Sequence, residues 1–115
     1  MHELALAQGI VDLVEDAARI QHFGKVTRIR VVLGALASVE PEALRFGFES
    51  VARGTTAEGA VLELERPSGA GQCMSCGNEM TMSARGEPCP ACGSYQVLVV
   101  RGSELRVADL EVEDV

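Results

Sequence analysis

Four cysteines, the only ones in the chain, constrain its fold more than any other feature. They form two pairs, CMSC from residue 73 and CPAC from residue 89, with twelve residues between the pairs. Two residues between paired thiols let both sulfurs face one ion, and the loop brings the second pair opposite the first. Gly77 and Gly93 allow the tight turn that follows each pair. Because four thiolates suit tetrahedral Zn²⁺, the sequence predicts a structural zinc site with the ligands Cys73, Cys76, Cys89 and Cys92.

The rest of the sequence disfavours two other interpretations of the cysteines. Disulfides require an oxidising compartment, but the N-terminus has no basic segment and carries four acids within its first 16 residues, unlike a secretion signal. An iron site of the rubredoxin type could use the same spacing. Such a site would sit in an aromatic-lined domain, however, and only Tyr95 lies near these cysteines. We therefore expect zinc, in a soluble cytoplasmic protein.

The charge of the chain argues against nucleic acid as a partner. Its 115 residues include 17 acids and 10 lysines and arginines, giving a net charge of −7. Nucleic-acid binding uses cations that neutralise phosphates and aromatics that stack on bases. The cysteine region offers Arg85 against Glu79 and Glu87, and four zinc-bound thiolates add negative charge. Since no apolar run could cross a bilayer either, we expect no nucleic acid and no membrane as partners.

Two helices are predicted outside the cysteine region. Apolar residues at helical spacing predict a first helix over about residues 4–22, with Gly24 as its stop. A loop over 34–39 precedes a second helix, which opens at residues 40–42 with proline at its first position and acids at the positive end of its dipole. Gly47 inside this helix costs about 1 kcal/mol relative to alanine, which indicates a close approach of another backbone.

Three strands complete the predicted core. Residues 25–33 alternate as a half-buried strand, residues 60–66 form a second, and residues 104–112 a third. The Pro, Ser and Gly residues at 67–71 are interpreted as a linker, and the apolar segment 95–100 follows the cysteines. The pattern predicts an α+β fold with two helices on a three-stranded sheet and an inserted Cys₄ zinc-ribbon lobe.

The order of these elements predicts two domains. Residues 1–68 together with 103–115 would form an α+β domain, and residues 69–102 a zinc-binding domain. Residues 69–93 of this zinc-binding domain contain almost no branched aliphatic residues, so the ion must replace a hydrophobic core there.

The N-terminus offers a nitrogen-rich set of metal donors. The Met1 amine, the His2 imidazole, backbone amides and the Glu3 carboxylate lie within three residues. Such sets favour Cu²⁺ or Ni²⁺, which gain most from strong in-plane nitrogen donors. A solvated terminal histidine is the structural alternative. Catalysis is not indicated, because no histidine accompanies a nucleophile, no phosphate loop is present, and four thiolates leave zinc no open position.

Nearly the whole length of the chain resembles the HypA/HybF family of nickel metallochaperones for hydrogenase maturation. The resemblance rests on MHE at the terminus, GALASVEPEALRF at 34–46, the two cysteine pairs and GSELRV at 102–107. It implies that His2 holds nickel, together with the Met1 amine and the backbone around Glu3, while the cysteines hold zinc. It also implies a nickel-handling maturation GTPase and the large subunit of a [NiFe] hydrogenase as partners, with urease served by some relatives.

Other functions and a homodimer stay open on the sequence. A zinc-ribbon interaction module without a nickel role would show no specific nickel uptake. An electron carrier would contain coloured iron. The sequence also leaves open whether two chains associate.

Overall fold

The computed structural model describes residues 2–113 as two helices and six strands. In chain order they are α1 (Glu3–Gln21), β1 (Lys25–Leu33), α2 (Pro41–Ala52), β2 (Val61–Glu65), β3 (Gly69–Cys73), β4 (Glu79–Met82), β5 (Val97–Arg101) and β6 (Leu105–Glu113). The strands form two three-stranded sheets, with the orders β2-β1-β6 and β4-β3-β5. The predicted α+β class is confirmed. Neither helix of the described residues is long and apolar enough to cross a bilayer.

The chain divides into two compact units. The first contains the residues up to 31, residues 39–64 and the residues from 107 on. The second contains residues 32–38 and 65–106. Both helices therefore belong to the first unit and all four cysteines to the second.

Helix α1 forms where the sequence predicted a helix, and it packs through one apolar stripe. Its buried apolar residues recur every three or four positions and are Ala7, Ile10, Val11, Val14 and Ala18. The helix ends before the predicted stop, because His22 adopts the left-handed conformation with φ 61° and donates its N–H to the carbonyl of Ala18 at 2.9 Å. A residue other than glycine can end a helix in this way if it tolerates the left-handed conformation. The prediction that the helix stops at Gly24 was therefore wrong.

Helix α2 begins as the sequence predicted. Pro41 is its first residue, and the Glu40 carboxylate accepts hydrogen bonds from the backbone N–H groups of Glu42 (3.1 Å) and Ala43 (3.3 Å). These bonds satisfy N–H groups that have no partner within the first helical turn.

Gly47 lies where α2 meets α1. A Cβ added to Gly47 would lie 3.5 Å from the Cα of Leu4 and 3.6 Å from the Cβ of Ala7. The close approach anticipated at this glycine is thus the contact between the two helices.

The sheet β2-β1-β6 carries an ion-pair row on its polar face. Arg28 of β1 lies 3.5 Å from Glu63 of β2 and 3.4 Å from Glu111 of β6. Arg30 donates from Nε to Asp109 of β6 at 3.0 Å. These side chains are partly exposed, so each pair contributes at most about 1 kcal/mol, but together they link all three strands. The buried apolar residues of this sheet include Val26, Ile29, Val31, Leu33 and Leu62.

The sheet β4-β3-β5 corrects the prediction of a linker at 67–71. Gly69–Cys73 forms the central strand β3, which pairs antiparallel with β4 and β5. A Cβ at Gly71 would lie 2.6 Å from both the Met82 Sδ and the Val97 Cγ1. Glycine occurs here because side chains from both flanking strands cross over it. From composition alone, a glycine-rich segment that packs tightly in a sheet cannot be distinguished from a flexible linker.

The predicted loop at 34–39 packs its leucine into the second unit. Leu36 is buried, and its N–H donates to the carbonyl of Gly102 at 2.8 Å. Arg85 donates from Nε to the carbonyl of Leu36 at 2.8 Å. A Cβ at Gly69 would overlap the Leu36 side chain, and one at Gly34 would overlap the Gly102 backbone. The packing around Leu36 therefore requires glycine at several positions.

Candidate metal centres

The four cysteine sulfurs converge as the sequence predicted. Their Sγ atoms all lie within 4.8 Å of one another, with Cys73 3.6 Å from Cys92 and Cys76 3.7 Å from Cys89. A tetrahedron with Zn–S distances of about 2.3 Å has its sulfurs about 3.8 Å apart. The cage therefore fits zinc. Among residues 2–113 no other group of three or more His, Cys, Asp and Glu side chains is close enough to hold a metal.

Matching turns build the two halves of the cage. The Gly77 N–H donates to the Cys73 carbonyl at 2.9 Å, and the Gly93 N–H donates to the Cys89 carbonyl at 2.7 Å. Both glycines have positive φ, 80° and 79°, as the tight turn requires. The backbone thus positions both knuckles in the same way, and Cys73 gains further support as the last residue of β3.

The thiols of the cage differ in burial and in acidity. Cys73 and Cys89 are buried, whereas Cys76 and Cys92 are exposed. The Cys76 N–H, 3.4 Å from the Cys73 sulfur, is the main cause that lowers the pKa of Cys73 to about 6. The Asn78 N–H acts to lower the pKa of Cys76, but desolvation and the neighbouring thiols raise it to about 12. Zinc, when bound, holds all four sulfurs as thiolates and supplies the cohesion of this small lobe.

Sequence reasoning missed two groups beside the cage. The Asn78 amide lies 3.9 Å from the Cys89 sulfur, close enough for a weak N–H···S contact. The hydroxyls of Ser75 and Ser94 are 2.9 Å apart and join the two knuckles. The equivalent positions of Asn78 and Ser94, two residues after the second cysteine of each pair, are the signal that could have revealed them.

The nitrogen-rich N-terminus lies at the start of α1. Met1, a predicted nickel donor, is outside the described residues. His2 is the exposed N-cap of the helix, and its carbonyl accepts from the Leu6 N–H at 2.9 Å. Its side chain makes no capping hydrogen bond with the part of the chain that the structure describes. The imidazole is thus displayed at the helix terminus.

The backbone N–H and the side-chain carboxylate of Glu3 have different surroundings. Its N–H lies in the first turn of α1, where backbone donors have no partner within the helix. Glu3 as a whole is 8% exposed, and its carboxylate accepts a hydrogen bond from the Glu40 N–H at 2.9 Å. That bond is the main cause of the lowered pKa of Glu3. The side chain therefore anchors α1 to the start of α2, a role that the sequence alone did not predict.

Residues 1–112 match the profile of the protein family described as "Hydrogenase/urease nickel incorporation, metallochaperone, hypA". The chain belongs to the HypA family. Its function is accordingly that of a nickel metallochaperone in hydrogenase maturation and not that of an enzyme.

Individual HypA proteins resemble the chain over its whole length. The hydrogenase maturation factor HypA of Cupriavidus necator is 48% identical over 114 residues, which cover 99% of this chain and 96% of that protein. The HypA of Polaromonas naphthalenivorans is 50% identical over 114 residues, covering 99% of both. The solution structure of the nickel metallochaperone HypA from Helicobacter pylori superposes with a TM-score of 0.69 at 22% identity, covering 99% of both chains. The last match supports the fold.

In the HypA family, nickel and zinc have different roles. HypA proteins handle nickel as cargo and bind zinc, and the Cys₄ cage of this chain fits a structural zinc ion. Four thiolates complete a tetrahedron and leave no position for water or substrate. The cage is therefore suited to a structural ion.

Proposed function

We propose that the chain binds Ni²⁺ at its N-terminus, with His2 as the side-chain donor and the Met1 amine and the Glu3 backbone amide as further donors. The exposure of His2 at the N-cap is the observation that carries this proposal. Its imidazole has no capping bond to lose among the described residues, and the Glu3 N–H has no place in the helical hydrogen-bond ladder. Nickel could replace that amide proton without breaking a bond of the helix. Nitrogen donors of this kind favour in-plane coordination of Ni²⁺.

The helix terminus suits release as well as binding. A cation at the start of a helix opposes the dipole by about 0.3–1 kcal/mol. The Glu3 carboxylate, held in the first turn by Glu40, offsets part of this cost. Because His2 is exposed, an acceptor protein can add its own ligands to the ion before the chaperone releases it. This order of ligand exchange avoids free nickel.

The partner proteins and the compartment complete the proposal. We infer that nickel passes by way of a nickel-handling maturation GTPase to the large subunit of a [NiFe] hydrogenase, with urease as a further recipient. Four reduced thiols at the zinc cage favour a reducing cytoplasm. The division of labour is that residues 1–68 and 103–115 handle nickel while residues 69–102 bind zinc, and association of two chains is compatible with both tasks.

Nickel titration of untagged, zinc-loaded protein tests the donor set. His2→Ala, or one extra residue before Met1, should reduce nickel affinity by at least about a hundredfold because each removes a principal donor. His22→Asn is the matched control: it removes the other histidine, at the opposite end of α1, with a residue that tolerates the left-handed conformation. Zinc content should stay at one ion per chain in every variant. Nickel binding that survives both N-terminal changes would exclude this site.

A transfer assay tests delivery separately from binding. Nickel-loaded chaperone is mixed with purified GTPase and hydrogenase large-subunit precursor, and nickel in the precursor is measured with time. The wild-type chain should transfer nickel faster than an equal amount of nickel held by a small-molecule chelator of the same affinity. Equal rates would contradict directed delivery.

A further inference from the structure

Helix α1 carries a second apolar stripe, on a side that is not buried in the core. Leu13 is 47% exposed and Ile20 is 69% exposed, and the half-buried Leu6 lies seven residues before Leu13. A spacing of seven keeps side chains on one line along a helix. Single exposed apolar side chains are common on protein surfaces, but large ones aligned along one helix indicate a contact surface. We call this surface the exposed stripe, and its residues are Leu6, Gly9, Leu13, Ala17 and Ile20.

The packing of the described residues gives no reason for Gly9 in the middle of this stripe. Glycine within a helix lowers stability relative to alanine, and a Cβ added to Gly9 would have no atom within 4 Å. Gly47, in α2, lies instead where the two helices meet, and an added Cβ there would lie 3.5 Å from the Cα of Leu4. Because Gly9 lies on the open side of α1, we infer that a helix of another molecule approaches closely there.

Acids beside the exposed stripe determine the charge of what binds there. Asp12 and Asp16 both neighbour the stripe, because residues three or four apart are adjacent on a helix surface. The Asp16 carboxylate pairs with Arg19 at 2.9 Å. The Asp12 carboxylate accepts a hydrogen bond from the neutral Gln8 amide at 2.9 Å and has no cationic partner within residues 2–113. A lysine or arginine of the bound molecule would therefore complement Asp12.

The exposed stripe begins beside His2. The His2 carbonyl accepts a hydrogen bond from the Leu6 N–H at 2.9 Å, so Leu6 lies one helical turn from the histidine. From Leu6 the stripe runs about 21 Å to Ile20, at a rise of about 1.5 Å per residue. A molecule that lies along the stripe thus places one end next to the proposed nickel donor.

We propose that the exposed stripe docks an amphipathic helix of the protein that takes nickel from His2. This helix packs large apolar residues over Gly9 and between the side chains of Leu6 and Leu13, and it places a lysine or arginine opposite Asp12. The identity of the partner rests on the proposed nickel site, whereas the contact itself requires no bound nickel. Docking along α1 brings the ligands of the acceptor to the ion before His2 releases it.

Charge argues against two other occupants of the exposed stripe. Helices that lie on membranes carry lysine and arginine on their polar side, whereas Asp12 and Asp16 would face anionic lipid headgroups. A second copy, with a net charge of −7, would bring further acids to the same side. A basic helix of a different protein meets neither obstacle.

Docking is measured with the two purified proteins of the transfer assay, the maturation GTPase and the hydrogenase large-subunit precursor. Each is titrated separately with the zinc-loaded, nickel-free full chain, and at least one of them should bind. Leu13→Glu and Ile20→Glu should each weaken that binding at least about tenfold, because each places a charge in the apolar contact. Phe46→Glu is the matched control, since Phe46 lies in α2 and is 77% exposed, and it should leave binding unchanged.

Substitution of Gly9 separates docking from stability. Gly9→Ala should make the chain more resistant to denaturant and yet weaken binding of the partner several-fold, because the added atom holds the docked helix away. Gly9→Leu should weaken binding at least about tenfold for the same reason. A role confined to the fold of the chain would leave binding unchanged in the stabilised alanine variant, and that result would overturn the proposal.

Reversal of one charge tests the side on which the partner is basic. Asp12→Lys should weaken binding about tenfold. Glu49→Lys makes the same change in net charge at an exposed acid of α2 and should weaken binding less than about threefold. Equal losses in the two lysine variants would contradict a basic helix beside Asp12.

The remaining outcomes are equally decisive. Circular dichroism and zinc content establish that each variant is folded. Binding by neither partner protein, or stripe variants that bind like wild type, would overturn the proposal. So would variants that change only self-association of the chain, or only its binding to vesicles of anionic lipid. Nickel titration of Leu13→Glu should match wild type, and nickel-free His2→Ala should still dock, so failure of the docking surface is distinguishable from failure of the nickel site.

Discussion

The Glu3 carboxylate accepts a hydrogen bond from the Glu40 backbone N–H at 2.9 Å, which joins the first residue of α1 to the residue that caps α2. Glu40 in turn uses its own carboxylate on the next N–H groups of the chain. The starts of both helices are thus linked through two consecutive acid-to-backbone contacts. His2 directly precedes this link, so the proposed nickel donor is attached to a well-anchored part of the first unit.

Substitutions of Glu3 should separate anchoring from coordination. Glu3→Ala removes the acceptor for the Glu40 N–H and should weaken nickel binding about tenfold by loosening the helix start. Glu3→Gln keeps a carbonyl acceptor and should bind within about threefold of wild type. Calorimetric titration with nickel measures both. An equally large loss in both variants would instead show that the carboxylate itself coordinates the ion.

Loss of one cage cysteine should release zinc and unfold the zinc-binding lobe. Cys76→Ser leaves three thiolates, and the lobe has little apolar core to replace the ion. Zinc per chain should fall well below one, and amide resonances of β3, β4 and β5 should lose dispersion. Ser75→Ala is the matched control, because Ser75 lies between the cysteines and contacts the Ser94 hydroxyl without ligating metal. Full zinc occupancy in Cys76→Ser would contradict a four-thiolate site.

The glycine between the helices should accept alanine and reject larger residues. An added Cβ at Gly47 would make ordinary contacts of 3.5 and 3.6 Å with α1. Gly47→Ala should therefore keep the packing and gain up to about 1 kcal/mol of helix propensity. Gly47→Leu should overpack the helix contact and lose about 1–3 kcal/mol. Denaturant unfolding gives both values, and a destabilised alanine variant would mean that the helices tolerate no further atom there.

The contact of Glu15 with Thr56 should make stability depend on pH. The Thr56 hydroxyl and its N–H, the latter at 3.0 Å, donate to the Glu15 carboxylate, and the hydroxyl is the main cause of its lowered pKa. Because the pKa of Glu15 is lower in the folded state than in the unfolded state, the ionised carboxylate stabilises the fold at pH values above its unfolded-state pKa. That stabilisation is lost as the pH falls through its folded-state pKa. Glu15→Gln should thus lower the unfolding free energy by about 1–2 kcal/mol at pH 7.

The pH series distinguishes this contact from general charge repulsion. The difference between wild type and Glu15→Gln should shrink as pH falls through the lowered pKa of Glu15, because the wild-type side chain then becomes neutral as well. Glu49→Gln, at an exposed acid of α2, makes the same charge change without the Thr56 contact. A difference that is the same at every pH would rule out the proposed linkage.

Two glycine-to-alanine changes should have opposite signs. Gly34→Ala would overlap the Gly102 backbone, so the second unit should be destabilised by about 1–3 kcal/mol. Gly9→Ala, in the exposed middle of α1 with no atom within 4 Å of an added Cβ, should be stabilised by about 0.5–1 kcal/mol. Chemical unfolding of both variants, followed by amide exchange of the second sheet, measures the contrast. Equal effects of the two substitutions on stability would show that lack of room for a side chain is not the reason for glycine at position 34.

Local chemistry made most of the elements predictable. The apolar stripe of α1, Pro41 at the start of α2 and the alternation of β1 each depend on neighbours in sequence, and all three elements are where the patterns indicated. The cage was predictable for the same reason, because its two knuckles are short local motifs separated by only twelve residues.

Long-range contacts account for the features that the sequence did not reveal. Residues 69–71 resembled a linker, but Leu36, Met82 and Val97 come from distant segments to pack over them. The carboxylate of Glu3 was similarly indistinguishable from a surface acid or a metal donor, because its partner at Glu40 is 37 positions away. Such contacts depend on the tertiary fold, which composition and periodicity do not reveal.

The crowding around Leu36 has a consequence for genetics. Gly34, Gly69 and Gly102 come from three separate stretches of sequence, and at each of them an added Cβ would collide with a neighbour. A missense allele at any of these glycines would leave every metal ligand intact and still yield a defective protein. Allele surveys that score only histidine and cysteine would class such variants as harmless, so these three codons belong among the first to be examined.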